Sequence, residues 1–254
     1  MIYILLPAYN EEKNIEAVLD GLDTVLNNLK QDFRIIIVND GSTDRTKDIL
    51  LKYSRQKSVE AINFKSNLGI GAVFRTGISR IGQRATDDDI LVTMDCDQTH
   101  QPEILTSLLK ALEDGNQVVI ASRYHKMSQT INLPYLREFL SNGINLLLKI
   151  VFPIEKARDY TTFFRAYRMS ILKKALLFYG NDFIQSPGFS AMAEILIKLR
   201  IFKPKVCEVG LKLRFDLRTG KSKMNIRRTI FGYLLLISRE LQSRISGVFR
   251  KSDI

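Results

Sequence analysis

Ile90-Leu91-Val92-Thr93-Met94-Asp95-Cys96-Asp97 is the stretch on which the reading of this chain turns. Its first five residues carry no charge and read as a buried strand. The run stops at two carboxylates one residue apart. On a continuing strand Asp95 and Asp97 would point to opposite faces. At a strand end the chain turns, and both can converge on one hard cation, for which oxygen ligands suit Mg²⁺ or Mn²⁺. Such a cation keeps several waters and completes its shell with substrate phosphates. Spacing and position alone leave a metal site and a capped turn equally open. The chain also supplies a control. Asp87-Asp88-Asp89 contains the same spacing but precedes the strand, after Gln83-Arg84-Ala85-Thr86, and reads as a solvated turn. Ligands of open α/β sheets bind at the carboxyl ends of strands, which singles out the second pair.

Outward from this strand, the first 125 residues alternate strand and helix signals. Strands are expected at Ile2–Leu6, Arg34–Val38, Val59–Phe64, Ile90–Met94 and Gln117–Ser122. Helices are expected at Glu12–Leu29, with Asn10 and Glu11 as its cap, and at Asp44–Tyr53, Gly71–Ile81 and Pro102–Leu112. This alternation implies an α/β fold, a mostly parallel central sheet with helices on both faces. Beyond Ser122 the rhythm changes. Leu136–Val151, Ile171–Phe178 and Phe189–Leu199 read as helices and Val206–Arg214 as a strand. Asn225–Phe249 places Ile226, Ile230, Tyr233, Leu234, Ile237, Leu241, Ile245 and Val248 on one stripe flanked by Arg227, Arg228, Arg239, Arg244, Arg250 and Lys251. A basic amphipathic helix of this kind either lies in a membrane interface or docks on its own domain or a partner. The division expected is a catalytic domain over 1–224 and this helix over 225–254.

Composition narrows the classes. The chain has 254 residues, 45% of them hydrophobic, and a formal charge of +11. Two cysteines, Cys96 and Cys207, are too few for a disulfide framework. The N-terminus reads as a strand and not a secretory leader. No stretch reaches the roughly 18 apolar residues of a spanning helix. The positive charge concentrates beyond Ser122 without the aromatic-basic interleaving of a nucleic-acid module, so a membrane surface or a phosphorylated substrate ranks above nucleic acid.

Every strand in the first half ends in a polar, turn-forming cluster, and in a doubly wound sheet these clusters share one rim. Tyr9 can stack on a base or simply pack. Asp40, within Asn39-Asp40-Gly41-Ser42, can accept hydrogen bonds from a base or ribose, or belong to an ordinary turn. Gly69-Ile70-Gly71 is too short for a dinucleotide fingerprint. His100 can orient the acid pair or serve in capping and packing. Their joint placement points to a nucleotide, with the acid pair holding metal on its diphosphate.

Taken in order, Leu6-Pro7-Ala8-Tyr9-Asn10-Glu11-Glu12-x-Asn14, Val38-Asn39-Asp40-Gly41-Ser42-Thr43-Asp44, Asn67-x-Gly69-x-Gly71-Ala72 and Met94-Asp95-Cys96-Asp97 resemble a family 2 glycosyltransferase of GT-A fold. Asp95–Glu103, Ser122-Arg123-Tyr124, Arg137-x-x-x-Ser141, Arg158–Arg165 and Arg218–Lys223 resemble its polyprenyl-phosphate branch, to which the dolichyl-phosphate mannosyltransferases belong. The resemblance implies that Pro7, Tyr9, Glu11, Val38, Asp40 and Cys96 hold the donor nucleotide. It implies that Asp95 and Asp97, with Gln98 or Thr99, hold Mg²⁺ or Mn²⁺. It places Arg123, Arg137 and Ser141 on the acceptor phosphate and Arg218 and Lys223 near the donor diphosphate. The catalytic set is then Asp95, Asp97, Arg123 and Arg218. The expected partners are a GDP- or UDP-linked sugar, a polyprenyl phosphate, the cytoplasmic face of a membrane and a small membrane-anchoring subunit, with no nucleic acid. Thr99 stands where relatives often carry Gln, and Thr161-Thr162-Phe163 where they often carry Thr-Ser-Gly. Two rivals are a glycan acceptor and a catalytically silent membrane-binding subunit.

Overall fold

The computed structural model describes residues 1–55, 58–219 and 225–245. Seven strands form the central sheet in the order β3-β2-β1-β4-β7-β5-β8. They are β1 (Ile2–Ala8), β2 (Phe33–Asn39), β3 (Val59–Asn63), β4 (Ile90–Thr93), β5 (Val118–Ser122), β7 (Arg165–Arg168) and β8 (Val206–Gly210). All run parallel except β7, which is antiparallel to β4 and β5. A second sheet pairs β6 (Gln129–Ile131) with β9 (Lys212–Arg214).

Both faces of the sheet are covered, which is why its strands read as apolar runs without alternation. The alternation is in what each side chain meets. Tyr3, Leu5, Ile36, Val38, Leu91, Val118 and Ile120 pack with α3 (Ile70–Gly82), α6 (Met169–Tyr179) and α7 (Ala191–Leu199). Ile2, Ile4, Leu6, Ile35, Ile37, Val92 and Val119 pack with α1 (Ile15–Asn28), α2 (Thr46–Tyr53) and α4 (Ile104–Glu113). Two helices complete the first layer. Leu148 of α5 (Tyr135–Val151) and Tyr233 and Leu236 of α8 (Ile226–Ile245) are buried in it.

Three expectations are corrected. The segment Val206–Arg214 is not one strand: it divides at Leu211 between the two sheets. Helix α1 begins at Ile15, because Asn14 and Ile15 first donate to the Glu11 carbonyl in a turn of their own. The Asp87–Asp89 turn is not wholly solvated. Asp89 is buried and accepts hydrogen bonds from the Met1 ammonium at 2.8 Å and the Thr86 amide at 2.7 Å, which hold its carboxyl below the usual range against the upward push of burial.

Candidate active site

The carboxyl ends of β1, β2, β4 and β5 bring their loops to one rim. Two of those loops pass through left-handed backbone at residues with side chains, Asn10 (φ 53°) and Gln98 (φ 63°). Such conformations collect at functional sites, where the surroundings over-determine them.

The acid pair turns as its position suggests. Asp97 accepts from the Thr99 hydroxyl at 2.6 Å and the Thr99 amide at 3.2 Å, and its other oxygen lies 3.4 Å from Arg218 Nε. Asp95 donates its backbone N–H to Nδ1 of His100 at 3.2 Å. That nitrogen therefore carries no proton. Burial lowers the His100 pKa to about 4, so the ring is neutral at neutral pH, and it stacks on Phe164 with centroids 5.2 Å apart. His100 fixes the turn and is also part of the packing. Burial, then the charge of Asp97, push the Asp95 carboxyl well above its ordinary range. Glu11 adds to this, while Arg218 and Arg137 oppose it.

This donor set fits one hard divalent cation. The repulsion among Asp95, Asp97 and Glu11 is the kind a cation relieves, and the ligands are oxygens. Among the described residues no group of three or more His, Cys, Asp or Glu side chains is arranged to hold a metal. The protein thus offers a carboxylate pair whose shell diphosphate and water would complete. Gln98 turns its amide to Asn14, donating to Oδ1 at 3.0 Å, while the Thr99 hydroxyl stays on Asp97.

Asn14 ties this corner together and received no role from the sequence reading. It is 2% exposed. Its Nδ2 donates to Glu11 at 2.7 Å and to the Thr219 carbonyl at 3.3 Å, and its Oδ1 also accepts the Thr219 hydroxyl. The β1 loop, the β4 loop and the segment after Arg218 thereby meet at one side chain. Lys223 lies outside the described residues.

The nucleotide side is mixed. Pro7 ends in partly exposed surface and Tyr9 is half-buried at the rim. Val38 and Cys96 bury their side chains in the two core layers, which leaves their backbone to the rim. Both oxygens of Asp40 accept backbone amides, from Leu68 at 2.7 Å and Gly69 at 3.0 Å, so the carboxylate holds the glycine turn. Burial still leaves its pKa raised.

The acceptor side is a network on a buried anion. Arg123 donates Nε and Nη2 to the two oxygens of Asp159, at 2.8 and 2.7 Å, in a bidentate fork. It also donates to Ser141 Oγ at 2.7 Å and Thr161 Oγ1 at 2.6 Å. Burial pushes the Asp159 carboxyl up, and the charge and hydrogen bonds of Arg123 more than reverse this. Asn145, one helical turn beyond Ser141 and 3% exposed, donates to Tyr124, Ser141 and Thr161 and accepts the Tyr160 amide at 2.6 Å. Arg137, one turn before Ser141, lies over the Phe215 ring at 5.2 Å, and Arg218 lies over the same ring at 5.7 Å. Phe215, Asp159 and Asn145 went unassigned in the sequence, because their roles depend on partners distant along the chain.

A mostly parallel sheet with metal-fitting carboxylates at one strand end and arginines facing them defines a nucleotide-diphospho-sugar transferase fold of GT-A type. The chain belongs to Glycosyl transferase family 2, whose profile matches residues 3–176. It is 31% identical over 240 residues to a dolichol-phosphate mannosyltransferase of Pyrococcus furiosus, covering 94% of this chain and 63% of that protein. It therefore spans less than two thirds of that relative's length. With a polyprenol monophosphomannose synthase of Mycolicibacterium smegmatis the identity is 28% over 252 residues, covering 97% and 91%. The fold matches glucosyl-3-phosphoglycerate synthase of Mycobacterium tuberculosis, crystallised with Mn²⁺, UDP and phosphoglyceric acid, with a TM-score of 0.66 at 19% identity over 95% of this chain and 78% of that one.

Proposed function

We propose that this protein is an inverting hexosyltransferase, moving mannose in preference to glucose from a GDP- or UDP-linked sugar to a polyprenyl phosphate at the cytoplasmic face of a membrane. One observation carries the reading. On a single face of α5, Arg137 and Ser141 join an anion-binding network around Arg123 to the edge of the Asp95–Asp97 site, so that two phosphorylated groups can meet there. The names of the two relatives support the same donor and acceptor classes.

Asp95 and Asp97 would hold Mg²⁺ or Mn²⁺. When bound, the cation supplies charge neutralisation at the leaving diphosphate. Arg218, already turned to Asp97, adds a fixed positive charge there. Arg123 and Arg137 receive the acceptor phosphate, with Asp159 keeping the Arg123 plane in position. That phosphate is anionic near neutral pH and is its own nucleophile. No general base is required, which agrees with a neutral His100 whose Nδ1 is occupied. One in-line displacement inverts the anomeric centre.

A prenyl tail stays in lipid, and the surface beside the acceptor network is apolar. Phe139 and Ile150 of α5 are 75% and 68% exposed, and Phe231 and Leu234 of α8 are 61% and 53% exposed. The two helices touch, and exposed apolar side chains of this kind on both are what a lipid contact would use. No described helix is long and apolar enough to cross a membrane.

The test is incubation of the purified protein with GDP-mannose or UDP-glucose, Mg²⁺ or Mn²⁺, and polyprenyl phosphate in liposomes. The expected product is a lipid-linked hexose whose formation stops with chelator. No lipid product from any common donor overturns the proposal. Transfer to a glycan without lipid phosphate would select the glycan-acceptor reading, and absence of metal-dependent nucleotide binding the silent subunit.

A further inference from the structure

Glu194 lies on α7, away from the rim, and is 0% exposed. Its carboxylate accepts the Gln185 amide at 3.1 Å and the Ser186 amide at 2.7 Å, together with Lys198 Nζ at 2.7 Å and Arg239 Nη2 of α8 at 2.6 Å. Arg239 also reaches Ser186 Oγ at 3.4 Å. Apolar side chains would join α7 to α8 with a smaller desolvation cost. What a carboxylate adds is the capture of two loop amides in charge-assisted bonds.

The captured backbone is the mould of the glycine turn. The Pro187 carbonyl accepts the Gly71 amide at 3.0 Å, and the Ile184 carbonyl accepts Arg75 Nε at 2.7 Å. A Cβ on Gly71 would stand 1.8 Å from the Ser186 oxygen, and one on Gly69 would stand 2.6 Å from the Pro187 oxygen. These glycines are required by the approach of residues 186 and 187. The other side of the same turn supplies the two amides that Asp40 accepts.

We propose that Glu194 is a positioning residue for the donor nucleotide, with Arg239 as its partner on α8. The path runs from Arg239 through Glu194, Ser186 and Pro187 to Gly69 and Gly71, and so to Asp40. This inference rests on the donor reading given above. It makes the helix that carries the exposed Phe231 and Leu234 also the outer support of the donor loop.

The experiment is calorimetric binding of GDP and of UDP with Mn²⁺ to the full chain, alongside the KM for polyprenyl phosphate. In Glu194→Gln one oxygen becomes an NH₂ that opposes the loop amides. It is expected to weaken nucleotide binding about tenfold. Arg239→Gln is expected to weaken it about threefold, since Lys198 still pairs with Glu194, and Arg239→Lys to return within about twofold of the wild type. The KM for polyprenyl phosphate is expected to stay within about twofold. Should Glu194→Gln not fold, Arg239→Gln carries the test, its side chain being 34% exposed. Wild-type protein that binds neither nucleotide overturns the donor reading and this inference together. Wild-type protein that binds, with Arg239→Gln binding equally well, overturns this inference alone. Equal losses in nucleotide and acceptor constants overturn it in favour of a general structural role.

Discussion

Replacing Asp159 with Asn tests how the acceptor arginine is held. The wild-type carboxylate is fully buried and accepts Arg123 N, Nε and Nη2 at 3.1, 2.8 and 2.7 Å and the Thr161 and Thr162 amides at 3.2 and 3.0 Å. Asn keeps the shape, removes the charge and turns an NH₂ toward donors. Removing one partner of a buried ion pair costs about 3–5 kcal/mol. The Arg123 side chain is 17% exposed, so water relieves it partly and the low end, about 3 kcal/mol, applies. For a chain of this size that lowers Tm by about 6–12 °C. A control is Glu16→Gln, which breaks the exposed Lys52–Glu16 pair and costs less than about 1 kcal/mol. The pH dependence follows from the sign of the shift. The folded Asp159 pKa lies below its unfolded value, so its stabilisation is complete at pH 7 and fades as pH falls below about 4 toward the folded value. Urea unfolding at pH 7 and at pH 3.5 reads both effects. The KM for polyprenyl phosphate is expected to rise more than the KM for the sugar donor. A loss at pH 7 no larger than that of Glu16→Gln, or a donor KM that rises as much as the acceptor KM, would refute this account.

Four further outcomes are expected. Asp97→Ala abolishes turnover while Asp88→Ala, at a side chain that is itself exposed, leaves it nearly unchanged; equal losses in a lipid-linked sugar assay would show the wrong acidic pair was chosen. Gly71→Ala forces a Cβ into the Ser186 carbonyl and destabilises by more than about 1–3 kcal/mol, whereas Gly143→Ala meets nothing within 4 Å in α5 and stabilises by about 0.5–1 kcal/mol, both read by urea unfolding. Phe231→Ser with Leu234→Ser lowers binding in liposome flotation while leaving the buried Tyr233 and Leu236 in place; unchanged flotation would remove α8 from the lipid contact. His100 has a folded pKa of about 4 against about 6.5 unfolded, so it makes stability rise with pH across that window, and His100→Asn, with an oxygen for the Asp95 amide, flattens the slope between pH 5 and pH 7 in urea titrations.

Much of this architecture is legible along the chain because each strand of the first half ends in a turn cluster, and rim position follows from strand direction alone. Asp95 and Asp97 stand out from Asp87 and Asp89 by that argument, without knowledge of their partners. What is not legible depends on long-range pairing. Asn14 reads as a helix residue, yet its side chain serves Glu11, Gln98 and Thr219. Gly69 and Gly71 are too short a run for a dinucleotide fingerprint, and what they make room for is the close approach of residues 186 and 187, more than a hundred positions away. Strand β7 escapes because it is four residues long and carries two arginines. Arg165 is nevertheless 0% exposed, since its guanidinium donates to the carbonyls of Met192 and Tyr160 at 2.7 Å each. No local pattern marks an arginine whose partners are distant carbonyls as a strand residue.

The direction of β7 is also what completes the site. A parallel strand between β4 and β5 would deliver the loop that follows it to the rim. Because β7 runs the other way, with Arg165 beside Thr93 and Arg168 beside Ile90, it delivers the loop that precedes it. That loop carries Asp159, Thr161 and Thr162, and it is fastened where it enters by the Thr93 hydroxyl, which donates to the Phe163 carbonyl at 2.6 Å. Arg123 leaves the end of neighbouring β5 and meets Asp159 there. The inverted strand thus puts a buried anion under an arginine that the parallel strands alone would leave unsupported. The basic side of the rim depends on this reversal as much as the acidic side depends on the turn after β4.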